Sequence, residues 1–252
     1  MKSWIFIIVI FLSPFCQAQN DVLFDEAAKA YNEGDYELAI DNYQHVLESG
    51  VHSASIYFNL GNAYYKLNEI GPSIYYYEKA LLLDPNDNEI RNNLAYAQQM
   101  TIDDIEPLPQ TAISRIVSRV MNILTFDQWA YTSIGFMILF VSLYLAFYFY
   151  RYADKKRLAF IGSMVCLFFA ALSVVMAVLQ YQEYNRTDPA IIFASETSVK
   201  EEPNNRSITL FNLHEGSKVY VQETLEDWHK VKLADGKNGW IPASDLREIK
   251  DF

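Results

Sequence analysis

The stretch ASIYFNLGNAYYKLNEIGPSIYYYEKALLLDPND, residues 54–87, decides the fold of the N-terminal part of the chain. Apolar and small residues recur in it at spacings of three and four, as on one face of an α-helix. The positions that carry the pattern are Tyr57, Leu60, Gly61 and Tyr64 in a first helix, Ser73, Tyr77 and Ala80 in a second, and Pro85 after it. Because Gly61, Ser73 and Ala80 are small, the two helices can approach closely. Pro85 ends the unit, since proline cannot continue a helix interior.

The same pattern recurs 34 residues earlier and, in part, 34 residues later. The earlier copy consists of Leu23, Ala27, Ala30, Ala39, Tyr43 and Val46, with Gly34-Asp35 at the turn between its helices. The later copy contains only a first helix, marked by Arg91, Leu94, Ala95 and Gln98. Self-similarity at a fixed period of this size is typical of stacked helical hairpins. The sequence therefore predicts two hairpins and a capping helix over residues 20–99.

At all eight of its patterned positions, the segment 54–87 resembles the tetratricopeptide repeat. The resemblance implies an all-α repeat domain whose stacked hairpins form a concave surface for a peptide or a partner helix. The residues predicted to bind a partner there are Tyr31, Phe58, Asn62, Tyr65 and Lys66, with Asn92 and Tyr96 beside them. The alternative is that Tyr65 and Tyr96 only pack between neighbouring helices. Two repeats are fewer than usually suffice for stability, so either a docking partner or the amphipathic segment further on is expected to complete the stack.

Two long apolar runs predict a multidomain membrane protein anchored by a helical hairpin. Residues 128–150 and 158–182 contain no charged side chain, and each is long enough to cross a hydrocarbon core about 30 Å thick as a helix. The segment 151–157 between them has four basic residues and one acidic residue, which favours the cytoplasmic side. Both soluble domains are then expected in the periplasm, on a bacterial inner (cytoplasmic) membrane. Since the spans have no ionisable group, they are predicted to anchor rather than to transport.

The first 18 residues have the pattern of a secretory signal peptide. Lys2 is followed by an apolar stretch from Trp4 to Phe15, and Ala18 suits cleavage before Gln19. A lipoprotein signal is the alternative reading, because Cys16 follows the apolar stretch. Cleavage at Ala18 leaves Cys166 as the only cysteine, which excludes a disulfide within the chain.

Residues 100–126 are predicted to form a linker and an amphipathic helix. Prolines and acidic residues between Asp103 and Pro109 break the helical pattern. After them, apolar residues share one helical face, namely Ile113, Ile116, Val117, Val120, Met121 and Leu124. A helix lying in the membrane interface suits this pattern. Packing of the same face against the repeat domain is the alternative.

Residues 190–250 change to short alternating runs that predict β-strands. Their order of turns and aromatic residues, including Asp227-Trp228, Gly236 and Gly239-Trp240-Ile241-Pro242, resembles a bacterial SH3 domain. The resemblance implies an all-β, SH3-like barrel that binds cell-wall peptides or other proteins. Trp240 is expected to pack in the barrel. Trp228 is predicted as a partner-binding platform, with a packing role as the alternative.

Composition argues against catalysis and against nucleic acid. The formal net charge is −11, and residues 21–106 alone contain 16 acidic and 4 basic side chains. Such an acidic domain repels phosphate backbones. The four histidines lack any metal-ligand spacing, and no nucleophile elbow or phosphate loop occurs. We therefore expect no enzyme, no catalytic residue, no metal and no cofactor.

The order of signal peptide, tetratricopeptide repeats, two spans and SH3 domain resembles the BatE family of the Bacteroides aerotolerance operon. This resemblance implies a protein–protein interaction scaffold of the envelope, linked to aerotolerance or envelope stress. Its implied partners are other membrane proteins of the same complex, including ones with von Willebrand type A domains, beside the lipid bilayer itself. The alternative function is a cell-wall sensor that binds peptidoglycan through its SH3 domain.

Overall fold

The computed structural model describes residues 20–109 and 111–251. The predicted signal peptide, residues 1–18 with Cys16, lies outside the described residues. The chain divides into two compact units. The first unit joins the chain up to Leu108 with the chain from Asp188 onward, and the second extends from Pro109 to Thr187.

Five helices in the first unit match the predicted repeats. They are α1 (20–33), α2 (Tyr36–Glu48), α3 (Ala54–Lys66), α4 (Ile70–Leu83) and α5 (Asn88–Gln98). The turns inside the two hairpins place Gly34 at φ +86° and Asn68 at φ +62°, one period of 34 apart. Glycine and asparagine are the residues that tolerate this left-handed conformation best. Local backbone chemistry therefore repeats along with the apolar pattern.

The predicted close approach of helices α3 and α4 occurs at Gly61. A Cβ atom at this position would lie 2.6 Å from the ring of Tyr77, which is buried. The Ser73 hydroxyl donates a hydrogen bond of 2.8 Å to the Gly61 carbonyl. Ala95 occupies the equivalent position in α5, and it is exposed because no second helix follows to cover it.

The second unit consists of α6 (Ala112–Met121), α7 (Phe126–Phe149) and α8 (Ala153–Arg186). Within the described chain, α7 and α8 are the two helices long and apolar enough to cross a membrane. They pack along a stripe of small residues on α8, spaced by four and three, consisting of Ala159, Ser163, Cys166, Ala170 and Ser173. The Ser133 hydroxyl of α7 donates to the Ala170 carbonyl at 3.2 Å. Because α8 begins at Ala153, the loop between the helices is shorter than the predicted 151–157.

Seven strands form one antiparallel sheet in the rest of the first unit. They are β1 (Asp188–Ile192), β2 (Glu196–Lys200), β3 (Thr209–His214), β4 (Lys218–Leu225), β5 (Trp228–Lys232), β6 (Asn238–Pro242) and β7 (Leu246–Glu248). The strand order is β3-β2-β6-β5-β4-β1-β7. Both β3 and β7 are edge strands in this order, so the sheet is not closed. All-β structure is confirmed here, whereas the SH3-like barrel stays a prediction.

The sheet and the repeats share one core, although the sequence predicted separate domains. Ile191 and Ile249 of the β-region are buried among the apolar side chains of the repeats. Tyr75 of α4 meets Phe193 edge to face, with ring centroids 5.4 Å apart. The Gly71 backbone N–H donates to a carboxylate oxygen of Glu215 at 3.0 Å. The β-region is therefore the docking partner of the short repeat stack.

Candidate functional site

A pocket of about 200 Å³ lies between the first helices of successive repeats. It is lined by Tyr31 of α1, by Asn62, Tyr65 and Lys66 of α3, by Tyr77 of α4, and by Asn93 and Tyr96 of α5. Four of the five repeat residues predicted from the sequence thus come together. The fifth, Phe58, instead packs against the Tyr77 ring, with centroids 6.0 Å apart.

Asn62 is fixed by hydrogen bonds at the floor of the pocket. Its side-chain oxygen accepts from the Tyr77 hydroxyl at 2.6 Å and from the Asn93 amide at 2.9 Å. Burial raises the pKa of Tyr77 far above its ordinary value, so its hydroxyl stays a donor. Asn62 therefore holds adjacent repeats together, which adds a structural role to its predicted binding role.

The sequence prediction named Asn92 for the groove, but it is the next residue, Asn93, that lines the pocket. A signal for Asn93 exists in the period of 34. Asn59 hydrogen-bonds Tyr43 in the first repeat, and Asn93 hydrogen-bonds Tyr77 in the second. Both pairs occupy equivalent repeat positions, so the asparagine is part of the joint between consecutive hairpins.

The rim of the pocket is formed by Tyr31, Tyr65, Lys66 and Tyr96. Tyr31 packs edge to face on Tyr36, with centroids 5.3 Å apart, and burial followed by the nearby Tyr36 raises its pKa. Lys66 and Tyr96 are exposed. Such a rim presents aromatic faces, neutral hydroxyls and one ammonium group. These groups can stack on side chains, hydrogen-bond a peptide backbone and attract an anionic group.

Trp228, the remaining predicted binding residue, begins strand β5 and is half-buried. In the sheet register it faces Leu225 on β4 and Pro242 on β6. It does not line the pocket described above. Trp240, predicted to pack in the sheet, is buried.

A second pocket, of about 370 Å³, contains a serine, a histidine and an aspartate. Asp103 accepts from the Ser217 hydroxyl and lies 2.8 Å from Nδ1 of His214. The His214 backbone N–H also donates to Asp103 at 2.7 Å. Because Ser217 is bonded to the carboxylate, the imidazole does not activate its hydroxyl as a nucleophile. This cluster ties the segment after α5 to the turn between β3 and β4.

Asp103 is held in its charged form. Burial opposes that charge, but hydrogen bonds from Ser217 and His214 outweigh it and lower the pKa of Asp103. The same carboxylate raises the pKa of His214. Across residues 20–109 and 111–251, no group of three or more histidine, cysteine or acidic side chains is arranged to hold a metal ion.

Comparison with known proteins identifies the second hairpin. Residues 54–87 match the tetratricopeptide repeat family. The matched segment is the one whose eight positions carry the resemblance, and it supplies the pocket residues of α3 and α4. No curated protein matched the chain. The tetratricopeptide repeat is a non-catalytic module of protein–protein interaction, whereas the SH3 and BatE resemblances remain predictions from sequence.

Proposed function

We propose that this protein is a membrane-anchored scaffold of the bacterial envelope that binds a segment of a partner protein in its repeat pocket. The observation that carries the proposal is the convergence of Tyr31, Tyr65, Lys66 and Tyr96 from three consecutive first helices. A tetratricopeptide repeat with a shaped, polar and aromatic pocket suits a peptide better than a flat contact does. The sheet docks on the face of α4, which leaves these rim residues accessible.

Connectivity supports the membrane part of the proposal. The chain leaves the first unit at Leu108 and returns to it at Asp188. Between these points it contributes two long apolar helices joined by a short connection. A hairpin of this kind returns the chain to the side from which it came. The repeats and the β-region then share one side, which for the basic segment 151–157 is the periplasm.

The proposed partners are other membrane proteins of one complex, some with von Willebrand type A domains. This finer assignment, with its link to aerotolerance or envelope stress, rests on the resemblance to the BatE family. Protein partners in general rest on the repeat match. The absence of ionisable groups from both spans favours anchoring over transport.

A second candidate function is a cell-wall sensor that binds peptidoglycan through the β-region. The joining of this region to the repeats favours it, since Lys218 of β4 pairs with Glu78 of α4 at 2.7 Å. A ligand on the sheet would thereby act on a rigid body that includes the repeat pocket. Trp228 is its proposed contact residue.

The test is recovery of partners from membranes that express the variant Lys66→Ala/Tyr96→Ala. Both side chains are exposed, so their truncation leaves the core intact. Asn62→Ala would be a poor probe, because it removes two hydrogen bonds at the floor. We expect the double variant to recover about tenfold less partner, equivalent to about 1.4 kcal/mol. Crosslinking and mass spectrometry identify what is recovered.

The matched control is Lys29→Ala, which removes an exposed lysine of α1 outside the pocket. It should retain wild-type recovery. Trp228→Ala separates the two candidate functions. If that variant loses its partners or its binding to purified sacculi while Lys66→Ala/Tyr96→Ala keeps both, the β-region takes the binding role and the repeat pocket does not.

A further inference from the structure

Helix α6 has an apolar face that is exposed within the second unit. Ile113, Ile116, Val117 and Val120 recur at spacings of three, one and three, and they are 77%, 62%, 40% and 36% exposed. No residue of this helix is buried. Four large β-branched side chains exposed on ten residues are costly in water, at roughly 25 cal/mol for each Å² of apolar surface. This face requires an apolar neighbour.

The opposite face of α6 is polar and basic. It consists of Ser114, Arg115, Ser118 and Arg119, and the helix contains no acidic residue. A strongly amphipathic helix with arginine on its polar face is typical of helices that lie in a bilayer interface. Arginine beside such a face favours anionic headgroups, since the two charges are complementary.

The end of α6 is attached to the start of α7. The indole N–H of Trp129 donates to the Met121 carbonyl at 3.0 Å. Between them, Thr125 and Gln128 form a reciprocal capping box that fixes where α7 begins. The apolar face of α6 thus ends at the first turn of a long apolar helix, in the place where tryptophan prefers the membrane–water boundary.

We propose that α6 lies on the bilayer, with its apolar face inserted at the boundary between headgroups and acyl chains and its arginines on anionic headgroups. The occupant of this face is the same bilayer that surrounds α7 and α8, so the inference rests on the proposed membrane anchoring. Helix α6 then forms a second attachment of the repeat side of the chain to the membrane. It sets the distance at which the chain enters the soluble unit after the anchor.

The test uses the full chain in lipid nanodiscs, with Cys16 and Cys166 replaced by alanine. One environment-sensitive fluorophore is placed at Ile116→Cys, at Ser114→Cys or at Ile138→Cys. Ser114 is the matched control, since it lies two residues away on the polar face of α6. Ile138 lies on α7, is 63% exposed and reports whether the hairpin is in the bilayer. Quenching by a lipid with a shallow spin label is compared with quenching by aqueous iodide.

We expect the label at Ile116 to be quenched several-fold more strongly by the lipid than the label at Ser114, with the reverse order for iodide. Equal lipid quenching at both positions overturns the proposal. So does protection of Ile116 from both quenchers, which would indicate a protein cover such as the repeats or a second copy. If Ile138 is not quenched by lipid, the membrane anchoring itself has failed. Quenching at Ile138 without quenching at Ile116 rejects only the surface helix.

The headgroup part of the proposal has its own measurement. Lipid quenching at Ile116 should fall when anionic lipid is omitted from the nanodisc. Arg115→Gln/Arg119→Gln should remove that dependence while quenching at Ile138 stays unchanged. A dependence on anionic lipid that survives in this variant contradicts the assigned role of the two arginines.

Discussion

Glu78 on α4 and Lys218 on β4 form an ion pair of 2.7 Å, although 140 residues and both candidate spans separate them in the chain. The next residue of α4, Lys79, pairs with the carboxylate of Asp251 near the end of the chain. Two ion pairs of opposite polarity thus stand side by side across one interface. Burial opposes the charge on Lys218, but Glu78 and Tyr220 outweigh it and raise its pKa. This arrangement fixes one register of the β-region on the repeats.

Removal of the Asp251 carboxylate should weaken this docking. Lys79 is almost completely buried, while the Asp251 side chain is about half exposed. Breaking a buried pair costs about 3–5 kcal/mol, and exposure of one partner reduces this, so Asp251→Ala should cost about 1–2 kcal/mol. The Tyr75 hydroxyl, which donates to Asp251 at 2.6 Å, loses its acceptor as well. Thermal unfolding of the full chain in detergent measures the change.

Lys237→Ala is the control for that experiment. Lys237 pairs with Asp235 at 2.9 Å, but its own side chain is largely exposed. Surface pairs of this kind contribute about 0–1 kcal/mol. Equal loss of stability in the Asp251 and Lys237 variants would show that the Lys79–Asp251 contact does not hold the β-region in place.

Substitution at Gly61 should force α3 and α4 apart. A Cβ atom there would lie 2.6 Å from a ring carbon of Tyr77, and that ring cannot move because it is buried and bonded to Asn62. Gly61→Leu should therefore overpack the core and cost about 1–3 kcal/mol or more. Ala95→Leu is the matched control, since it adds bulk at the same repeat position where no helix lies above it. An equal fall in melting temperature for both variants would contradict the helix-pair register.

The sequence predicted those features whose cause is local or periodic. The turn at Gly34, the contact at Gly61 and four residues of the pocket all follow from the 34-residue period. Docking of the β-region did not follow, because Glu78, Lys79 and Lys218 look like solvated surface charges until their partners are known. Their partners lie more than 130 residues away, beyond the reach of any pattern along one helix. The position of Asn93 was missed because adjacent asparagines at 92 and 93 differ only in helix phase.

The pairing of Asp103 with His214 should make stability depend on pH. The pKa of His214 is raised above its ordinary value of 6.5, so its contribution is complete below that pH and is lost as pH rises through the raised pKa. The pKa of Asp103 is lowered below its ordinary 3.8, so its contribution is present above that pH and is lost as pH falls through the lowered pKa. The pair therefore stabilises the fold most between these ordinary values.

His214→Gln is the variant that isolates this effect. The difference in melting temperature between wild type and His214→Gln should be largest near pH 5 to 6 and should shrink toward pH 8. Asp103→Asn in the His214→Gln background should add no further pH dependence in that range. A difference that stays constant from pH 5 to pH 8 would show that the charge on His214 does not contribute.

The last prediction concerns the side of the membrane on which each part lies. Both soluble parts belong to one compact unit, so Lys29 and Asn205, one from each part and both exposed, should face the same compartment. Ala153 begins α8 beside the basic residues Lys155, Lys156 and Arg157, which favour the cytoplasm. Single cysteines at these three positions, with Cys166 replaced, are labelled with a membrane-impermeant reagent. In intact spheroplasts we expect labelling at 29 and 205, and at 153 only after lysis.

Two results would contradict this topology in different ways. Labelling of intact cells at 153 but at neither 29 nor 205 would invert the hairpin and place the soluble unit in the cytoplasm. Labelling at only one of 29 and 205 would separate the repeats from the β-region. That outcome is incompatible with the ion pair of Glu78 and Lys218, because charged groups 2.7 Å apart cannot lie on opposite faces of a hydrocarbon core about 30 Å thick. The labelling experiment therefore tests the docking and the membrane hairpin together.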